Sequence, residues 1–318
     1  MKLGSKMNIR HVLIRDSFPS CIFLAIAGLA FMFASTGCES TPAEAEKYDP
    51  QAVLYAYLTN GEPVGEVYLE RIAPLFNRYD FEDAAITGAE IVIFDTDSGD
   101  TLHLTDDPQK HGRYIPVPGE ELIPRGRRHY RIECSTPDGE FLWSETSVPD
   151  TFISLNILLI DQNGERPVSE GDTLTRNDPN MFWRWEIDTT GGFVGGYAGL
   201  IVAETPRDSL VPLDPDWDPN DPDDALEEED RDAVGWTVFR YDAEWTTIAW
   251  AFFEWEGPTR IELQAVSVDY YNYLWSNFRV MQGMLERPVF NINGGLGIFA
   301  GLSKKVFHVY MKRVESEG

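Results

Sequence analysis

Cysteine, histidine, basic charge and long apolar runs are all scarce in this chain, and each scarcity excludes something. Three cysteines occur among 318 residues. Cys21 lies within an apolar run and Cys38 follows it, so beyond Cys38 only Cys134 remains. No intramolecular disulfide is expected in the mature chain, and core packing must supply the stability. Cys134 alternates with Tyr130 and Ile132, the spacing of a small hydrophobe on the inner face of a strand. His103, His111, His129 and His308 stand at no metal-ligand spacing, and neither H-E-x-x-H nor G-x-S-x-G occurs. No metalloprotease or serine-hydrolase framework is therefore signalled. Lys and Arg total 26 against 53 Asp and Glu, a net charge of −27. A field of that sign repels nucleic acid and anionic lipid surfaces. The reading is of a non-enzymatic protein with no cofactor, no metal and no nucleic-acid partner.

One apolar run outlasts a strand. Cys21 to Ala34 follows Lys2, Lys6, Arg10 and Arg15 and precedes Ser35-Thr36-Gly37-Cys38. A basic segment, an apolar run and a zone of small residues are the three parts of an export signal, and the run is too short for a comfortable membrane span. Thr36-Gly37-Cys38 resembles a bacterial lipobox, in which Gly37 is the last residue removed and Cys38 carries the lipid. Ser35 departs from the Leu usual three residues before the cysteine. An ordinary cleaved signal or a short anchor is the competing reading. Residues 1–37 are thus read as a lipoprotein signal peptide and 38–50 as an acidic tether. Removing the signal takes away four basic residues and Asp16, which leaves the remainder more acidic still.

From Gln51 onward apolar residues recur at period two in short runs, the pattern of strands. Such runs cover 53–59, 65–73, 89–94, 101–105, 113–117, 129–135 and 140–148. Asn60-Gly61-Glu62-Pro63, Asp95 to Asp100 and Pro137-Asp138-Gly139 supply turns between them. This density of short strands fits an immunoglobulin- or transthyretin-like sandwich over 51–150. Further runs at 152–159, 181–188, 197–204, 236–241, 246–255, 260–267 and 306–312 read as a larger, fibronectin-like sandwich over 151–313, with a short helix over 268–276. No stretch holds a helical period for twelve residues or more. The fold class is therefore all-β, two β-sandwich domains after the signal peptide. An insert at 207–232 is crowded with acidic residues and proline. Like charges repel and proline forbids ladders, so a mobile loop is expected there.

Several local patterns imitate chemistry. Asp214-Pro-Asp216-Trp-Asp218 has the alternating carboxylates of a calcium loop, but Pro219 and Ala225 stand where the EF-hand needs Gly and Glu. Asp95-Thr96-Asp97-Ser98-Gly99 is better explained as a hairpin turn. Gly295-Leu-Gly297-Ile-Phe-Ala300 spells a dinucleotide fingerprint with too little chain after it for a βαβ unit. Its two glycines, with Gly294, predict a tight loop over 294–301. There Leu296, Ile298 and Phe299 either anchor the loop or form a candidate partner contact. Eight of nine tryptophans fall from Trp183 onward, mostly as core; Trp217, Trp236 and Trp275 are candidates for stacking on a ligand.

Taken together, Tyr57-Leu58-Thr59-Asn60-Gly61-Glu62-Pro63, Val67 to Pro74, Ile86 to Ile93, Gly112-Arg113-Tyr114 and Asn291 to Gly301 resemble the domain-of-unknown-function 4249 family of Bacteroidota-type outer-membrane lipoproteins. The similarity spans nearly the whole mature chain. Asn291-Ile-Asn-Gly-Gly-Leu-Gly-Ile-Phe-Ala-Gly301 is its most specific piece, and the long acidic insert departs from the usual pattern. The resemblance carries over no catalytic residue. It implies an association with TonB-dependent receptors, beside which members are often encoded. The expectation is a lipoprotein held at the outer membrane by lipid on Cys38, facing the periplasm or the cell surface. It would serve as an accessory or binding subunit of a TonB-dependent transporter. A glycan- or matrix-binding adhesive module is the alternative.

Overall fold

The computed structural model describes residues 50–73, 80–217, 226, 233–240 and 242–314. The period-two runs of the first part become β1 (Ala52–Thr59), β2 (Val67–Arg71), β3 (Glu90–Asp95), β4 (Thr101–Asp106), β5 (Arg113–Pro116), β6 (Arg128–Ser135) and β7 (Phe141–Val148), with one helical turn, α1 (Phe81–Ala84). They lie side by side in the order β1-β2-β5-β4-β3-β6-β7. Alternation does the sorting: Tyr130, Ile132 and Cys134 of β6 are buried while their neighbours are not. The inward residues join one apolar cluster with Leu54, Leu69, Ile91, Ile93, Leu102, Tyr114 and Leu142. Buried Tyr114 remains satisfied, donating its hydroxyl to the Ile86 carbonyl (2.8 Å) and accepting from the Ala89 amide. The Asp95 turn closes on itself, its carboxylate accepting from the Asp97 and Ser98 amides and from Arg128 Nη1 at 2.7 Å.

The rest of the chain supplies β8 (Ser154–Asp161), β9 (Gly164–Pro167), β10 (Thr173–Leu174), β11 (Asn180–Glu186), β12 (Gly196–Ala203), β13 (Val234–Arg240), β14 (Trp245–Ile248), β15 (Gly257–Val266), α2 (Val268–Met281) and β16 (Leu296–Met311). A small antiparallel sheet, β14-β11-β8-β9, is separate from the large mixed sheet, which runs β13-β12-β15-β16-β1 and onward to β7, with β10 alongside β16. A second apolar cluster unites Met181, Trp183 and Trp185 of β11 with Tyr197 and Ile201 of β12 and with Ile261 and Leu263 of β15. The Trp185 and Tyr197 rings meet edge-on at 4.8 Å. β16 serves both clusters. Its first residues, from Leu296, run parallel to β1, and Leu302 to Met311 run antiparallel to β15.

Four expectations require correction. The segment 294–301 is largely strand, not loop: β16 starts at Leu296, ten residues before the expected late strand at Val306. A fourteen-residue helix exists where only a short one was expected, because its inner stripe is built from Tyr and Leu in place of the aliphatic repeat that marks most helices. The stretch 246–255 is strand only to Ile248 and then turns through a 3-10 segment, Trp250–Phe252. The acidic insert is docked at its start. Leu210 and Leu213 are buried, and Leu213 N and Glu256 N bond to Glu254 O and Val211 O at 2.8 Å each. Apolar burial of two leucines there outweighs repulsion among carboxylates that point to solvent. Residues 218–225 and 227–232, the signal peptide, Cys38 and most of the tether lie outside the described residues.

Candidate functional site

Helix α2 lies on the outer face of the large sheet. Ser267 begins it, its hydroxyl accepting from the Tyr270 amide while its own amide bonds to the Gly301 carbonyl at 2.8 Å. Asp269 in the first turn suits the positive end of the helix dipole, and burial pushes its carboxyl above the usual range. Tyr270, Tyr271 and Leu274 pack down on Ala198, Val266 and Leu302. Spacings of three and four residues bring side chains together on a helix surface, and here they build two rows of rings. Tyr57, Tyr270, Tyr273 and Phe290 form one row, with successive centroids 5.5, 6.3 and 6.2 Å apart. Tyr271, Trp275, Phe278 and Trp236 form the other, at 6.3, 5.8 and 5.9 Å.

The phenols of this face stay protonated. Burial, with Tyr273 and Glu70 adding to it, pushes Tyr55 up to about 12. Burial, then Tyr273 and Glu262, takes Tyr270 to about 12 as well; Tyr57 moves the same way, chiefly by burial. Glu262 is itself buried, held by Arg260 and by Gln264 Nε2 at 2.6 Å. The face offers aromatic surface and neutral hydroxyls over a satisfied polar floor.

From the last turn of the helix onward the apolar residues face outward. Val280, Met281, Met284, Leu285, Val289 and Phe290 are all exposed, Met281 by 72% and Leu285 completely. The excursion is tied down at two points: Arg279 pairs with Glu286 at 2.8 Å, and Ser276 Oγ accepts from the Val289 amide at 2.9 Å. It is a shaped apolar projection beside the aromatic rows.

The following segment does the opposite. Asn291 clasps the backbone of Phe299, donating to its carbonyl at 2.8 Å and accepting from its amide at 2.9 Å. Asn293 exchanges backbone bonds with Trp143 at 2.8 and 3.1 Å, which ties β7 to the entrance of β16. A side chain on Gly297 would sit 2.1 Å from the Leu54 carbonyl oxygen, and one on Gly301 would sit 2.1 Å from that of Ser147. Glycine is required at such approaches, and Gly297 also has φ +107°. The most specific piece of the sequence is thus the place where β16 threads between the backbones of β1 and β7. The model of a domain of unknown function, DUF4249, matches residues 39–307, most of the chain. The chain belongs to the DUF4249 family.

No curated protein matches this DUF4249 chain. Among solved structures, it resembles the FN1–FN3 domains of chicken CNTN1 at 9% identity, covering 82% of this chain and 67% of that one, with a TM-score of 0.24. It also resembles the native conformation of E. coli alpha-2-macroglobulin at 13% identity, covering 84% of this chain but 14% of that one, with a TM-score of 0.21.

The structure brings together some residues singled out in the sequence and separates others. Trp236 and Trp275 share Phe278 in one row. Trp217 stands elsewhere, under the Arg313 guanidinium at 5.7 Å. Leu296 is half-buried, whereas Ile298 and Phe299 are fully buried, Phe299 in the first cluster, and present no surface to a partner. Cys134 is buried, and desolvation raises its thiol to about 12, which leaves it without thiolate reactivity. Among the described residues no cluster of His, Cys, Asp or Glu is arranged to hold a metal, and no helix is long and apolar enough to cross a membrane. The residues that sequence reasoning missed are those of the projection, from Val280 to Phe290. Their signal was the run Met281, Met284, Leu285 and Val289, an apolar series that keeps the helical spacing i, i+3, i+4, i+8 past the end of the helix, where Gly283 and Pro288 break it.

Proposed function

We propose that this chain is a non-enzymatic lipoprotein of a Bacteroidota-type outer membrane, anchored through lipid on Cys38, and that it is an accessory or binding subunit of a TonB-dependent transporter. Residues 51–150 and 151–313 then act as two sandwich domains, immunoglobulin- or transthyretin-like and fibronectin-like, standing on the acidic tether. The single observation that supports this reading is the projection from Met281 to Phe290 beside the aromatic rows of α2. Exposed contiguous apolar surface marks interaction sites, and Tyr, Trp, Phe, Met and Arg are the residues enriched at interfaces. All five types are present here, Arg279 and Arg287 included. A lipid anchor would hold this face near membrane proteins, and the transporter is the partner that the family resemblance implies.

The test is co-purification of the full chain from solubilised membranes. Wild type should bring down a TonB-dependent receptor, and the doubly changed Met281→Asp, Leu285→Asp chain should lose it while keeping its melting temperature. Retention of the receptor by that variant contradicts the proposed face. Loss of fatty-acid labelling in Cys38→Ala tests the anchor independently.

A further inference from the structure

On the far side of the second cluster, the outer face of the small sheet carries a site of a different character. Strand register places Asn156, Arg184 and Trp245 in one row across β8, β11 and β14. Trp245 is 61% exposed, although an indole left in water forgoes substantial burial. Phe182 supports it from one side, with centroids 5.7 Å apart. Arg184 is immobilised by two bonds to Glu165 of β9, at 2.8 and 2.9 Å.

Trp245 forms one wall of an open cleft of about 740 Å³, within the range of ligand sites. Ser154, Asn156, Glu186, Thr189, Asp242 and Glu244 line it, with the Trp185 and Tyr197 rings behind them. Burial, followed by the charge of Glu244, raises the Tyr197 phenol, so it too is a neutral hydroxyl. A smaller hollow of about 250 Å³, lined by Ile160, Phe182, Trp183 and Arg184, lies against the same indole.

We infer that this cleft binds a neutral oligosaccharide, with one sugar ring stacked on Trp245. An exposed ring on a rigid sheet face matches the apolar C–H face of a pyranose. The hydroxyls at the sugar edge need groups that both donate and accept, which Ser154, Asn156 and Thr189 supply, and acceptors, which Glu186 and Glu244 supply. The charge pattern selects against acidic sugars. Glu186 and Glu244 repel uronates and sulfates, while Arg184 is engaged by Glu165 and Arg240 by Asp242 at 3.2 Å. This site shares no residue with the α2 face, so the two assignments stand or fall separately.

The experiment titrates the full chain, purified in detergent, with cellohexaose, maltohexaose, xylohexaose, mannohexaose and hexagalacturonate by calorimetry. At least one neutral hexasaccharide should bind, and hexagalacturonate should not. Trp245→Ala should weaken that binding by about tenfold or more, equivalent to about 1.4 kcal/mol, and Asn156→Ala should weaken it less. Phe141→Ala, which removes an exposed ring from β7 outside the cleft, should leave it unchanged. Thermal melting of Trp245→Ala verifies that the exposed substitution leaves the fold intact. Failure of all four neutral probes at millimolar concentration overturns the inference. So does wild-type affinity in Trp245→Ala, or tighter binding of hexagalacturonate.

Discussion

Two neighbouring stretches, Trp275 to Phe290 and Asn291 to Gly301, are both rich in apolar residues and meet opposite fates. The first leaves Met281 and Leu285 in solvent; the second buries Ile298, Phe299 and Ala300 completely. Hydrophobicity does not distinguish them. What does is the company the apolar residues keep. In the second stretch Gly294, Gly295, Gly297 and Gly301 remove the side chains that would strike neighbouring backbones, and Asn291 and Asn293 satisfy polar groups where ladders are interrupted. In the first stretch Arg279, Gln282, Glu286 and Arg287 interleave with the apolar residues and keep them at the surface. Glycine at backbone approaches beside aliphatic residues signals a packed crossing, whereas an apolar series at helical spacing, interleaved with charge and interrupted by Gly283 and Pro288, signals a projection.

The comparison is broken most severely at Gly297. Replacement by Val forces a branched side chain to within 2.1 Å of the Leu54 oxygen at φ +107°. The full chain should then fail to fold, as judged by loss of soluble expression. Next is Phe299→Ala, which should destabilise by about 3–5 kcal/mol because a fully buried ring leaves a cavity; chemical denaturation measures it. Smaller and pH-dependent is the contribution of buried ionisable groups. Tyr55 and Tyr270 rise from 10.0 to about 12 on folding, and Cys134 from 9.0 to about 12. Each holds its proton more firmly when folded, so its contribution is complete below pH 9.0 and is lost as pH rises towards 12. Urea midpoints should be flat from neutrality to pH 9 and fall steadily above it. Least of all, Leu285→Asp should shift stability by no more than about 0.5 kcal/mol, as for other surface changes.

Much of the fold was legible because alternation reports a half-buried strand directly. β6 reads Tyr130, Ile132, Cys134 inward with Arg131 and Glu133 outward, and the structure repeats it. β16 was legible only in its second half. Its first half lies between β1 and β7, close to both backbones, so alternation disappears and glycine appears. Register across strands is invisible in a single sequence, and that is why the row Asn156, Arg184 and Trp245 was not seen. Trp245 begins a strand four residues long, too brief for its facing to be read. The pairing of Trp236 with Trp275 likewise depends on Phe278 bridging helix and sheet. The start of the insert was misread because its charge masked Leu210 and Leu213.

The claim that the projection after α2 is the partner face is tested most directly by photo-crosslinking in intact cells. A benzophenone side chain is placed at position 285 in one full chain and at position 141, also exposed, in another. The account predicts an adduct at position 285 with an outer-membrane receptor identified by mass spectrometry, and none at 141. Equal labelling at both positions, or no receptor adduct at 285, would contradict it.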